Sequence, residues 1–253
     1  MILHNKVSCS SSFSSSRATN SPTPAKRVRK ELCFVEMKSY QVPVTGNNLN
    51  RYSREDLTVT LIKFTQNEPN DLFNNLCTFM LNSNATEWNA YGSKKKACFY
   101  GEEGTIGHYK FSGNFCFELQ YLPEQYDGIW KYVRSVYAGF GHELRPKQRL
   151  VMFCPYYLKG STFSAHQDNE HGMSADMVFS ISVGENSVMG FATTKQGESV
   201  LVPVPEFVGV FFYRNLWHWG HSLVHNWRVN FNFRCGFEDP SDNQEVLRYA
   251  PLF

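Results

Sequence analysis

The 253-residue chain has no C-x-x-C pair among its seven cysteines, at 9, 33, 77, 98, 116, 154 and 235. An odd count without close pairs argues against a disulfide framework or a cysteine-based zinc site, and for a reducing, intracellular compartment. It has no apolar run of the length needed to span a bilayer, so no membrane role is expected. The first thirty residues contain no Asp or Glu at all. That stretch is Ser-rich, holds Pro22 and Pro24, and ends in Lys26-Arg27-Val28-Arg29-Lys30. Such a composition cannot bury enough apolar surface to fold, and a disordered basic tail is expected over residues 1–50. Its basic cluster fits a nuclear-import signal, and its acid-poor, Ser-rich start fits an organellar transit peptide. A solvated tail with no address is the third reading. With six of the 25 basic residues in that stretch and none of the 23 acidic ones, the remainder has a net charge of −4. This is not the bulk charge of a duplex-DNA binder.

What is present is aromatic weight and a pattern of short strands. Leu57–Phe64 reads as a strand, and Asp71–Leu81 and Gln125–Phe140 read as amphipathic helices. From Arg149 onward the pattern is one of strands: 150–157, 178–183, 187–192, 199–203, 208–213 and 229–235. Their spacing suggests a mainly β, double-sheeted domain with flanking helices over 51–253.

Two stretches carry chemistry. In His166-Gln167-Asp168, an extended backbone places imidazole and carboxylate on one side. His221 is the candidate third donor, and two imidazoles with one carboxylate make the facial triad that holds Fe(II) with open positions. His218, three residues earlier, competes for that place. In Arg228-Val229-Asn230-Phe231-Asn232-Phe233-Arg234, alternation sets Arg228, Asn230, Asn232 and Arg234 on one face and the apolar residues on the other. Two guanidinium forks suit a dicarboxylate; the bland alternative is a solvated strand face.

The H-x-D, the HWGHSL around His221 and the R-x-N-x-x-x-R of residues 228–234 together resemble the AlkB family of Fe(II)/2-oxoglutarate dioxygenases. Tyr100-Gly101 and Tyr109-Lys110-Phe111-Ser112-Gly113 look like the nucleotide-recognition segment, about 86–115, of its DNA-repair branch. The resemblance covers roughly Trp88 to Gly236. It implies a double-stranded β-helix, or jelly roll, over about 149–237, with iron at its mouth. It assigns His166, Asp168 and His221 to the metal, the family's H-W-x-H-S arrangement favouring His221 over His218. Arg228, with Asn230 and Tyr157, would take the far carboxylate of 2-oxoglutarate. Arg234 would take the carboxylate beside the keto group, with Asn232 on the same face. Tyr109 and Phe111 match base-contacting positions, and Asn169 and Glu170 positions near the base's polar edge. Trp88 lies where that branch carries a wedge, or is simply a core residue. The implied activity is oxidative dealkylation of N-alkylated bases with Fe(II), 2-oxoglutarate and O2, yielding succinate, CO2 and an aldehyde.

One departure from the family pattern is Pro155-Tyr156-Tyr157, where Asn-x-Tyr is usual. Proline offers neither a side-chain amide nor an N–H, so one co-substrate hydrogen bond is expected to be missing, on the order of 1–3 kcal/mol. An RNA demethylase of the same fold and a non-catalytic nucleic-acid-binding module are the alternatives. The segment Ser222–Trp227 is short and lacks Lys or Arg, so single strands are expected to serve at least as well as duplex. Trp227 is a candidate stacking surface or a core residue. A monomer is expected.

Overall fold

The computed structural model describes residues 33–44, 51–90, 94–103, 105, 108–111, 115–144, 148–168, 176–223 and 225–235. The basic cluster at 26–30 and the base-edge candidates Asn169 and Glu170 lie outside the described residues. No helix among the described residues is long and apolar enough to cross a membrane.

Fifteen strands and two α-helices are described, all within one compact unit, Leu32–Phe253. The first strands are β1 (Phe34–Gln41), β2 (Thr58–Phe64), β3 (Asn89–Ala90), β4 (Lys95–Gly101), β5 (His108–Phe111), β6 (Phe115–Glu118) and β7 (Gln120–Tyr121). The later ones are β8 (Leu150–Tyr157), β9 (Phe163–His166), β10 (Met177–Gly184), β11 (Ser187–Ala192), β12 (Ser199–Val204), β13 (Gly209–Tyr213), β14 (Trp217–Gly220) and β15 (Arg228–Cys235). The major sheet runs β1-β2-β13-β10-β15-β8-β4-β3, with β7 alongside β4. A minor sheet runs β12-β11-β14-β9, and β5 and β6 form a separate hairpin. Two facing antiparallel sheets with helices on one outer side match the jelly-roll expectation.

Burial explains why the sheets stack this way. On β15, Val229, Phe231 and Phe233 are fully buried against the helices α1 (Glu68–Asn82) and α2 (Gly128–Gly139). The helices contribute Phe73, Leu76, Met80, Ile129, Val133 and Tyr137 to that core. A second core, between the sheets, joins Val178, Val210 and Phe212 to Met189, Phe191 and Val202. The opposite side of β15 therefore lies inside the sandwich, with Arg228 and Arg234 each 3 % exposed and Asn230 5 %. It is not a solvated strand face.

The rings of Phe73 and Phe231 are 5.2 Å apart, and Phe73 is fully buried. Phe73→Ala is expected to cost about 3–5 kcal/mol. Thermal unfolding checks this, and a loss below about 1 kcal/mol would show that α1 does not anchor β15.

Three boundaries differ from the sequence reading. Residues 34–41, read as tail, form an edge strand paired to β2. Only Phe34 and, in part, Tyr40 turn inward there, so the pattern lacks the alternation that marks a strand. α1 begins at Glu68 with proline in its first turn, and Asn67 makes no side-chain cap, so Asp71 lies inside the helix rather than capping it. Residues 124–126 form a separate 3-10 turn ahead of α2.

Candidate functional site

His166 closes β9, and Asp168 follows two residues on. The Asp168 N–H donates to the Arg214 carbonyl at 2.9 Å, and Gln167 Nε2 donates to the Asn215 carbonyl at 2.5 Å. These bonds tie the H-x-D to the turn between β13 and β14. Directly across the minor sheet, His218 on β14 is the ladder partner of His166. Ligand atoms of His166, Asp168 and His218 all lie within 4.8 Å of one another. His166 Nε2 is 3.7 Å from Asp168 Oδ1, and His218 Nε2 is 3.5 Å from Oδ2.

His221 is not in this cluster, which corrects the sequence assignment of the distal donor. The reason is position: β14 ends at Gly220 and its pairing with β9 shifts between His218 and Gly220, so His221 falls past the cluster and lines the Arg228 cavity instead. His221 is exposed beyond the end of β14, where its N–H donates to the Val188 carbonyl. The alternation Trp217-His218-Trp219-Gly220 was the available signal, once that segment is taken as a strand.

Three features test whether a metal fits. The Nδ1 of His166 lies 2.8 Å from the Ser164 carbonyl, and that of His218 lies 3.0 Å from the Leu216 carbonyl. A carbonyl only accepts, so each Nδ1 carries a proton and each Nε2 is the atom turned toward Asp168. Second, burial holds His218 neutral: desolvation first, then the nearby His166, pushes it down to about 4. For Asp168, burial works to raise the carboxyl, but Arg234, His218 and His166 together hold it below the usual range. Third, Asp168 and His218 are buried while the His166 side chain is 40 % exposed, which leaves one side of the cluster open. Two imidazoles and a carboxylate suit Fe(II) with open positions.

Arg234 lines the donor cavity and is already engaged there. Its Nη2 donates to Asp168 Oδ1 at 2.5 Å, and its guanidinium lies over the Phe153 ring. It fixes the metal-side carboxylate. Arg234→Met is therefore expected to lower metal affinity about 10–100-fold. The co-substrate KM, measured at saturating metal, should change less. A large rise in KM with unchanged metal affinity, read by metal titration, would return Arg234 to the co-substrate.

Arg228 is different. It bonds only neutral acceptors: Asn230 Oδ1 at 2.9 Å, the Glu185 carbonyl at 2.5 Å, the Val204 carbonyl at 3.3 Å and Ser182 Oγ at 2.6 Å. Among the described residues no carboxylate pairs with it. Burial pushes it down to about 10, so it stays charged at neutral pH. Tyr157, Glu206 and Glu185 act against that from a distance, without an ion pair, and a buried, rigidly held guanidinium is costly unless an anion joins it. Arg228 lines a cavity with Tyr157, Asn230, Ser161 and Ser187. Tyr157, Phe163, Met189 and Asn230 also line the cavity that holds His166, Asp168 and His218. The two cavities thus abut, with the donor cluster at one end and a buried cation at the other.

Asn232 lines the metal-side cavity but is engaged within the fold, accepting from Ser180 and donating to the Phe153 carbonyl. Ser180 and Ser182 were missed from sequence, although two serines alternating with Phe179, Ile181 and Val183 on β10 were a visible signal. Pro155 sits in β8 opposite Ala97 of β4, and the β8–β15 ladder has no paired residues at 154 and 155. This is the expected effect of a missing N–H inside a sheet.

The remaining candidates are placed elsewhere. Trp88 is partly buried, its Nε1 donating to the Met80 carbonyl at 3.1 Å and its ring against Tyr156, which favours the core reading over a wedge. Trp227 packs on Tyr156 at 6.2 Å as part of the same core, which favours the core reading over a base-stacking surface. Tyr109 and Phe111 are on β5, paired with Phe117 and Phe115; their side chains lie outside the described residues.

No family model and no curated protein matches the chain. Three solved structures align with about two thirds of it. A 2OG-Fe(II) oxygenase family oxidoreductase from Burkholderia pseudomallei has 10 % identity and a TM-score of 0.46, covering 66 % of this chain and 80 % of its own. A prolyl-4-hydroxylase from Pseudomonas putida has 13 % identity and a TM-score of 0.44, covering 66 % and 87 %. A bsmA homolog from Methylobium petroleophilum has 9 % identity and a TM-score of 0.48, covering 66 % and 82 %. Likenesses this remote carry no argument about chemistry, which rests on the side chains alone.

Proposed function

We propose that the chain is an Fe(II)- and 2-oxoglutarate-dependent dioxygenase that removes alkyl groups from nucleobase nitrogens. The observation that carries the oxygenase reading is the pairing of the His166–Asp168–His218 cluster with buried Arg228 across abutting cavities. A five-carbon keto diacid suits both ends: one carboxylate on the Arg228 fork, the keto acid end toward the cluster. Asn230 holds the Arg228 fork in place, and Tyr157 walls the space between the two ends. Arg234 keeps Asp168 turned and ionised. Bound iron would supply the activation of O2, with the diacid giving up two electrons as it becomes succinate and CO2. One oxygen atom goes to the succinate carboxylate and the other to the alkyl carbon, and the hydroxylated product sheds an aldehyde as the base nitrogen regains its proton.

The substrate class is supported by the sequence resemblance in Tyr109-Lys110-Phe111 and by its position on a β-hairpin separate from both sheets. A base must leave its stack to reach a site between two sheets, and unpaired bases do so at least cost. The net acidic remainder of the chain and the absence of Lys or Arg in Ser222–Trp227 favour single strands.

The test is a panel of N-methylated DNA and RNA oligonucleotides, alone and annealed, read by mass for loss of the methyl group. Demethylation of single strands at least as fast as duplex at physiological salt is expected. Succinate release without any demethylation would keep the oxygenase and reject the nucleic-acid substrate.

A further inference from the structure

The free space at the Arg228 end is about 10 Å3, and at the His166–Asp168–His218 end about 30 Å3. Together these hold only a few waters, so a five-carbon diacid does not fit until something between them moves. Four residues line both ends: Tyr157, Phe163, Met189 and Asn230. Tyr157, Met189 and Asn230 are buried at 5–6 % exposure on β8, β11 and β15. Phe163, at the start of β9, is partly exposed.

Phe163 also lines a third space, an outer groove of about 420 Å3 with Thr162, Lys195, Trp219 and His221. Its ring touches Tyr157 at 5.9 Å, His166 at 5.7 Å and His218 at 6.3 Å between centroids. On its other side it lies against Gly220, where a Cβ would come within 2.2 Å of the ring. The missing side chain at 220 thus makes the place in which the ring rests.

We infer that Phe163 is the gate of the diacid cavity: its ring must leave the Gly220 rest toward the outer groove before a dicarboxylate can reach Arg228. Lys195, beside the groove, gives that side a cation for an approaching anion. The inference rests on the co-substrate reading above, and adds the residue that controls access.

The experiment follows 2-oxoglutarate binding to Mn(II)-loaded protein without oxygen, by stopped-flow tryptophan fluorescence. Trp219 on the groove wall is the expected reporter, and equilibrium dialysis supplies the affinity. Phe163→Ala and the milder Phe163→Leu should raise the association rate about tenfold or more, and Phe163→Trp should slow it. Dissociation should accelerate with association, so affinity moves far less than either rate. Wild-type binding with rates within about twofold in all three variants would overturn the gate and leave the co-substrate reading intact. Absence of binding by dialysis in wild type and variants alike would overturn both.

Discussion

His218→Ala is expected to abolish metal-dependent turnover, while His221→Ala retains it. His218 is 4 % exposed, is the ladder partner of His166, and directs Nε2 toward Asp168 because Nδ1 is committed to the Leu216 carbonyl. Removing it leaves two donors against water. Loss of an outer-shell partner alone costs about 10–100-fold in metal affinity, and loss of a ligand should exceed that. His221 lies outside the cluster on an exposed segment, so its removal touches none of the three donors. Metal titration of both variants checks this. The fold of His218→Ala should survive, since alanine in its place leaves Phe191 and Phe212 packed on each other.

The second large effect is at Arg228, where activity and stability should move in opposite directions. Removing the fork deprives a buried carboxylate of its partner, worth about 2–5 kcal/mol, so the 2-oxoglutarate KM should rise on the order of 30-fold or more. Arg228→Lys should not restore it, because a point charge replaces paired planar donors. The free protein, however, holds this cation against neutral acceptors only. Arg228→Met, of similar length and without charge, should therefore unfold at the same temperature or higher. Calorimetry with and without the diacid separates the two: ligand-induced stabilisation should be present in wild type and absent in Arg228→Met. A strongly destabilised Arg228→Met would mean that the guanidinium is structural and no diacid is needed to explain it.

How much of this was readable in advance depended on which side of a strand a residue takes. The alternation from Arg228 to Arg234 identified β15 and separated its polar from its apolar side. It could not tell that the polar side is enclosed, because enclosure comes from β11 and β14 of the other sheet. His166 and Asp168 lie together, as their separation of two suggested. The choice between His218 and His221 needed the register of β14 against β9, and those four-residue strands carry too little pattern to be seen alone. Arg234 was assigned to a co-substrate because arginine suits carboxylates; the carboxylate it meets is Asp168, sixty-six residues away in sequence. Trp88 read from its position in the chain as either a wedge or a core residue, and its indole is held by the last turn of α1.

An anaerobic titration shows whether one diacid bridges the His166–Asp168–His218 cluster and Arg228. Fe(II) is added to the full chain, then 2-oxoglutarate, while visible absorption is recorded for the charge-transfer band that a chelated keto acid gives with ferrous iron. A saturable band is expected in wild type and in His221→Ala. None is expected in His218→Ala, and in Arg228→Met a band that saturates only at much higher diacid. A wild-type protein that binds iron but shows no band at any concentration, or a band lost in His221→Ala and kept in His218→Ala, would contradict that bridge.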